Sequence, residues 1–539
     1  MSADQPSPAL LSTLVRTQAD PHHARLAYAR GRLRHTTGPL VAVATLLLAI
    51  LAVAIVSRKG ANHSRSWQGS KVAHSPVSAG SFVVDVAGPG APFSRGAIGL
   101  SIEADELATS DLNSAHRSLV ALMRLLGPAV LRIGGNSLDR SWWTTHTARP
   151  PAWATSVVTP TNLVALRGLL AATGWRVILG VDLGHFAPLR AANEVHVAQR
   201  VLGPRLLGIE IGNEPNDYGS ALDHLRPSSY TVTRYLDELA VYEDDIRALS
   251  PQIRFYGPDV SASPTWLRSI ASTPIGAPFA ALTQHYYATT YSIAGRACQA
   301  TSVPTASDLL SQSVRQEENR MLLTLTGAGR LAHRSTLITE TNTTASCDVA
   351  GGPDTSPVFA SALWSLDWAL RAARAGVAGL NFHGYFGRCA PNAFSPICAP
   401  TAHAEAEGHV IARPEYYGLL AARQLEGGYF IPVRTLGYHP LNSLSIYATR
   451  HSDGAVSLAI DNFDARRPTL AHIQIPGYHH MVAKALTAPS ITSTTGIRFI
   501  PASLGSHVGE HGSPSAASPN GRFNIIVPSS SAAIVTLYH

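Results

Sequence analysis

The chain has 539 residues, with 42 Lys+Arg against 35 Asp+Glu and a formal charge of +7. Nine basic and two acidic side chains fall within residues 1–79, so positions 80–539 carry 33 of each sign and no net charge. A balanced body excludes the broad electrostatic attraction on which nucleic-acid binding rests. At 45% hydrophobic and 14% charged, the chain is too apolar for a disordered protein and long enough for more than one domain.

Residues 1–37 form a basic N-terminal tail, with Arg25, Arg30, Arg32 and Arg34 near its end. Leu40 to Val56 is an apolar run broken only by Thr45, and no charged residue lies between Arg34 and Arg58. A bilayer-crossing helix needs roughly 20 residues, so 38–57 is expected to be a single transmembrane signal anchor. A cleaved signal peptide competes, with Ala52-Val53-Ala54 resembling a cleavage site. The long preceding tail and the length of the apolar run favour the anchor. Residues 58–80, rich in Ser, His and Gly, read as a linker. All four cysteines, Cys298, Cys347, Cys389 and Cys398, follow the span, which suits disulfides in an oxidising exterior. Of the three possible pairings, Cys389–Cys398 across a short Pro-rich loop with Cys298–Cys347 is preferred; four buried thiols are the alternative. No CxxC pair marks a zinc site. The protein is thus expected at a membrane, single-pass, with its body outside.

Eight short β-branched runs then recur, at 97–103, 129–135, 176–184, 206–215, 253–260, 282–288, 336–342 and 378–386. Amphipathic stretches such as 116–127, 161–174, 233–250 and 361–376 lie between them. Strand and helix alternating eight times predict an α/β fold, a (β/α)8 barrel over 97–427. A doubly wound sheet lacks its GxGxxG signature here. After 427 the texture changes to short alternating runs with Gly/Pro/Ser turns. This predicts an antiparallel β-sandwich over 428–539, with 81–96 adding a strand from the other side of the barrel.

In such a barrel the chemistry gathers at the C-terminal strand ends. Glu214 ends the fourth run as Asn213-Glu214-Pro215, and Glu340 ends the seventh in ITETN. Strands four and seven can aim two carboxylates across one mouth. Paired carboxylates are what glycosidic cleavage needs, one protonated to release the leaving oxygen and one ionised to attack the anomeric carbon. A separation of about 5–5.5 Å implies retention and one of about 6.5–9.5 Å inversion.

Asn-Glu-Pro on strand four with a glutamate on strand seven resembles the large clan of retaining (β/α)8 glycosidases. The stretches GLSIEADEL, LRIGGNSLDRSWW, GIEIGNEPNDYG, QHYY, LITETNT, ALWSLDWALRAARAGVAGLNFHG and PEYYG narrow the resemblance. Over residues 81–539 the chain is similar to glycoside hydrolase family 79, which includes β-glucuronidases and heparanase. The resemblance implies Glu214 as general acid/base and Glu340 as nucleophile. Asn213 would meet the sugar 2-hydroxyl, while Glu103 and Tyr286 line the glycone pocket. Arg132, grouped with the substrate-binding residues, would support Glu340 or serve as a structural barrel Arg. His285, on the strand face opposite Tyr286, reads equally as a packed histidine outside the pocket. The family's Tyr-Gly stretch for the uronic carboxylate is replaced here by TNTTASCDVAGG, where Gly351 and Gly352 are the remaining candidate backbone donors.

The expected function is a membrane-anchored retaining β-glycosidase of β-glucuronidase type. A neutral-sugar substrate (glucoside, xyloside or arabinoside) is the alternative, and a non-catalytic carbohydrate-binding scaffold is a third reading. The partners implied are a carbohydrate and a membrane, with no nucleic acid. No cofactor or metal is expected, since hydrolysis needs none and the sequence lacks an HExxH motif.

Overall fold

The computed structural model describes residues 78–88, 90–220, 224–273, 279–291, 303–346, 351–390, 394–436, 443–502 and 515–539. The tail 1–37, the proposed anchor 38–57, residues 58–77 of the linker, and Cys298 and Cys347 lie outside the described residues.

Eight parallel strands close into a barrel in chain order. They are β1 (Ile98–Glu103), β2 (Val130–Gly134), β3 (Arg176–Val181), β4 (Leu206–Ile211), β5 (Phe255–Ser261), β6 (Phe279–Tyr291), β7 (Ser335–Ser346) and β8 (Gly379–Gly384). β8 closes the ring on β1 from Leu380↔Ile98 to Gly384↔Ile102. Each strand is followed by a helix: α1 (Arg117–Leu126), α2 (Pro160–Thr173), α3 (Pro188–Leu202), α4 (Val232–Leu249), α5 (Pro264–Ala271), α6 (Gln312–Ala332), α7 (Phe359–Arg374) and α8 (Pro414–Ala422). The eight apolar runs read from the sequence are these eight strands.

Local signals set the helix ends. At α2, Thr159 and Asn162 form a reciprocal cap, Pro160 opens the first turn, and Gly174 at φ 78° ends it in the left-handed region. α7 is buried on all sides, from Phe359 to Ala373. A helix apolar all round belongs inside. Its two buried charges, Asp367 and Arg371, pair with each other, and Tyr447 donates to Asp367 at 2.6 Å from the β-rich module.

That module has two sheets. One has the order Val433–Leu436, Ser78–Val84, Thr469–Gln474, Arg522–Val527. The other is built around Leu444–His451, Val456–Asn462, Ser531–Tyr538 and His480–Thr487. Phe82, Val84, Ile473 and Ile525 from the first sheet share an apolar layer with Leu458, Ile460, Ala483 and Val535 from the second. Two points differ from the sequence reading. The N-terminal strand begins at Ser78, inside the stretch read as linker, and it pairs parallel to Thr469–Gln474, so the module is not wholly antiparallel. A strand arriving from the far side of the barrel needs no hairpin, and so can take either direction. Phe82→Ala, emptying a side chain only 6% exposed, is expected to lower stability by about 3–5 kcal/mol. Equilibrium urea unfolding measures this; an unchanged midpoint would mean that the N-terminal strand does not hold the module together.

Candidate active site

Two strand irregularities build the barrel mouth. Between β6 and β7 the register steps from Gln284↔Ile338 to His285↔Glu340, leaving Thr339 as an extra residue. Between β5 and β6 it steps from Leu282↔Gly257 to Gln284↔Val260, so Pro258 and Asp259 together oppose Thr283. A bulge sends successive side chains to the same side. Thr339 therefore donates to Asp259 while its neighbour Glu340 also reaches inward, to Arg132.

Arg132 on β2 has no exposed surface. Its Nε donates to Glu210 at 2.7 Å, one terminal nitrogen to Glu340 at 2.8 Å, and the other to Asn213 at 2.9 Å and to Asp259. The Ile-Gly-Gly motif that follows serves this packing. A Cβ at Gly134 would lie 2.2 Å from Arg132 Cζ, and one at Gly135, where φ is 73°, 2.4 Å from the Glu103 carboxylate. Glu103, ending β1, accepts from the Ser137 amide at 2.8 Å and the Ser137 hydroxyl at 2.5 Å. On its other side stand His383 at 3.4 Å and the Tyr385 hydroxyl at 3.5 Å.

Glu214 sits beyond β4 at φ 49°, a left-handed conformation that costs a non-glycine residue on the order of 1–3 kcal/mol. Its amide donates to the Asp259 carbonyl at 2.9 Å. The following turn is fastened to β5 through Asn216 and Ser261, at 2.8 and 3.0 Å. His285 Nδ1 donates to Glu214 at 2.9 Å, and its Nε2 stands 3.2 Å from Asp259. Tyr287 donates to Glu340 at 2.8 Å. Oxygen atoms of Glu214 and Glu340 and a nitrogen of His285 all lie within 4.8 Å of one another.

The electrostatics separate the two glutamates. Burial raises both, but around Glu340 its neighbours His383, His285 and Arg132 and the Tyr287 hydroxyl prevail and hold it at about 2. For Glu214, burial and the repulsion of Glu340 outweigh the His285 hydrogen bond and keep its carboxyl group above its usual range. Asp259 and Glu340 push His285 well above the usual histidine range despite its burial, which favours the imidazolium. Asp259 stays ionised against burial because of Arg132 and His285. Burial and the Asp259 charge push Glu210 well above the usual carboxylate range, and its Oε1 has no hydrogen-bond partner among the described residues.

The structure brings Glu214, Glu340, Asn213, Glu103 and Arg132 to one mouth and corrects several expectations. Tyr286 does not line the pocket. Its ring packs 5.0 Å from Trp368 of α7 on the outer barrel face, while His285 and Tyr287 point inward. Alternation separated His285 from Tyr286, but the phase is the reverse of the one expected, because Thr283, not Gln284, faces Asp259. Arg132 is sealed beneath the carboxylates and cannot touch a substrate. Gly352 donates its amide to Ser356 at 3.0 Å, and Gly351, at φ 85°, packs behind Phe394; neither reads as an open donor toward a sugar. The Cys389–Cys398 disulfide is present, and it closes the loop carrying Phe394. Residues that sequence reasoning missed are Tyr287, Asp259, Glu210, His383, Tyr385 and Phe394. The second Tyr of QHYY and the alternation of NFHGYF carried the signal for Tyr287, His383 and Tyr385; the bulge that turns Asp259 inward left none.

No family model matches the chain, and no curated protein matches it. Solved structures do. A 4-O-α-L-rhamnosyl-β-D-glucuronidase from Fusarium oxysporum 12S is similar over 85% of this chain and 100% of its own, with a TM-score of 0.65 at 19% identity. A family 51 arabinofuranosidase from Xanthomonas axonopodis pv. citri gives 0.62 at 15% identity over 85% and 99% of the two chains. A family 44 xyloglucanase from Paenibacillus polymyxa gives 0.57 at 11% identity over 86% and 100%. At these identities the likeness establishes the fold, a (β/α)8 barrel with appended sheets.

Arg132→Met leaves two buried anions without their shared cation and is expected to cost about 3–5 kcal/mol of stability. Urea unfolding at neutral pH reads this directly. Parent-like stability would mean that these carboxylates do not depend on the guanidinium.

Proposed function

We propose that the chain is a retaining β-glycosidase. The observation that carries this reading is a carboxyl pair at one barrel mouth, with oxygens within 4.8 Å of each other, whose surroundings push the two proton affinities in opposite directions. In the first half-reaction ionised Glu340 attacks the anomeric carbon as Glu214 gives its proton to the departing oxygen. In the second, Glu214, now a carboxylate, takes a proton from water; the water oxygen bonds to the anomeric carbon, and Glu340 leaves. Tyr287 and Arg132 hold the two Glu340 oxygens, which orients the nucleophile. The close spacing supports retention, since an inverting pair needs room for a water between its members.

For the substrate we propose a β-glucuronide. Support comes from the family 79-like motifs and from the similar Fusarium enzyme, whose name records a rhamnosyl-glucuronide substrate. A neutral sugar is the second reading. It is favoured by the internal use of the Gly352 amide and by an ionised Glu103 at the mouth, where burial is outweighed by His383 and Ser137. The proposal also tethers the barrel outside a membrane through 38–57. The Leu40–Val56 run and the Cys389–Cys398 disulfide, suited to an oxidising compartment, support this. Among the described residues no helix is long and apolar enough to cross a membrane.

Glu340→Gln is expected to abolish turnover of aryl β-glycosides, with product analysis on glucuronide, glucoside, xyloside and arabinoside deciding the sugar. Glu214→Ala should keep a burst on substrates with acidic leaving groups while steady turnover falls about 10²–10⁴-fold. For the parent, kcat/KM should fall on the acid side only near about pH 2, as Glu340 takes up a proton. On the alkaline side it should fall above the usual carboxylate range, as Glu214 loses its own. Undiminished turnover by Glu340→Gln would sink the mechanism. In cell fractionation, the full chain is expected to stay with membranes through an alkaline carbonate wash; release into the wash would count against the anchor.

A further inference from the structure

We propose that Asp259 is the positioning residue of the acid/base, gripping Glu214 twice, through its own main chain and through His285. The proposal rests on the assignment of Glu214 as the acid/base. The first grip is the Asp259 carbonyl, which accepts the Glu214 amide at 2.9 Å. The second is the Asp259 carboxylate, 3.2 Å from His285 Nε2, whose ring then donates from Nδ1 to Glu214 Oε1 at 2.9 Å. The chain of contacts is thus carboxylate, imidazolium, carboxyl.

A simpler role would make Asp259 only a counter-ion to Arg132. Several features exceed that role. Arg132 already has Glu210 and Glu340. Asp259 is also held at φ 58°, in the left-handed region that L side chains avoid. A counter-ion needs no such backbone. Thr283 accepts the Asp259 amide at 2.8 Å, Thr339 donates to its Oδ1, and Arg132 donates to its Oδ2. Every polar group of the residue is therefore committed, and strain of this kind persists where its surroundings over-determine it. Glu214, at φ 49°, is the partner of the main-chain contact, so two strained residues hold each other across β4 and β5.

The consequence for the reaction is electrostatic. The groups facing His285 are Asp259 from β5, Glu214 after β4, Glu340 of β7 at 3.9 Å and Arg132 of β2 at 3.4 Å, with Asp217 interacting through its charge and Glu210 paired to Arg132. Among these, Asp259 is an anion that takes no part in the bond changes, so it keeps His285 cationic through both half-reactions. A cationic donor on Oε1 favours the carboxylate form of Glu214, limiting how far burial can raise it. It also leaves Oε2 to carry the proton toward the leaving group.

The test is Asp259→Asn in the full chain, read in two ways. In the parent, ¹⁵N NMR of labelled histidine, with His285→Gln to assign the signal, should show both ring nitrogens of His285 protonated at pH 8. In Asp259→Asn the ring should lose a proton near the ordinary histidine value of about 6.5. On an aryl glycoside, kcat should fall on the order of 10²-fold with KM changed less than about threefold. The alkaline limb should move to higher pH, because Glu214 loses its cationic donor, and Asp259→Glu should move it back. If Asp259→Asn does not fold, Asp259→Gly accepts the backbone angle, keeps the carbonyl contact and removes the carboxylate, and the same readouts apply. A His285 that stays doubly protonated without the carboxylate, or an alkaline limb that does not move, overturns the proposal. A parent inactive on every glycoside would count against the catalytic assignment instead, and the NMR result would still decide the Asp259–His285 link.

Discussion

A guanidinium without exposed surface lies under the barrel mouth, and the arrangement above it follows from that charge. Removing an arginine from water costs several kcal/mol even after relaxation, so the interior must return anions and acceptors in good geometry. Arg132 receives Glu340, Asp259, Glu210 and the Asn213 side-chain oxygen. Three carboxyl groups around one cation cannot all be ionised in a buried site. The surroundings favour the neutral form of Glu210 and the cationic form of His285, which stands beside Asp259 and Glu340. Arg132 and His285 then face Asp259 and Glu340.

The same balance separates the two glutamates at the mouth. Glu340 touches the central cation directly and is stabilised as an anion. Glu214, one residue beyond the Asn213 that Arg132 binds, sees that cation only through His285 and also faces the anionic Glu340. Two chemically identical side chains thus acquire opposite tendencies, Glu340 from His383, His285 and Arg132 around it and Glu214 from burial beside an anion. In the proposed reaction this is the difference between a nucleophile and an acid. Around them, Tyr385 and Phe394 stand next to His383, and Phe394 next to Tyr287, in a wall fixed by the disulfide-closed loop and by Asn342, which donates to the Phe394 carbonyl at 3.0 Å.

Much of this was legible in the chain. Eight β-branched runs separated by helical periodicity specify a barrel, because each local pattern agrees with the global one. Glu214 and Glu340 stood out because each closes a predicted strand in a polar context. Asn213 and Glu103 followed from the same placement. The errors have a common origin. The resemblance puts Tyr286 in the pocket and, by alternation, His285 outside it. Opposite Asp259 and beside Thr339 the neighbouring strands each carry an extra residue, and a shift of one residue exchanges the faces of a strand. The inner face of β6 instead carries Thr283, His285 and Tyr287. Gly351 and Gly352 misled for another reason: a glycine marks where the backbone must turn or pack closely, but not what its amide faces.

By itself, the sequence determined the barrel, the split module beside it, and the two carboxylates at the strand ends. These depend on the period of apolar residues and on the types of residue at strand termini, which are local properties. Only the tertiary structure decided which tyrosine meets Glu340, that His285 faces inward, and that Asp259 belongs to the site. Those outcomes depend on bulges between strands, and a bulge is a relation between two chain segments far apart in sequence, with no period of its own along either one.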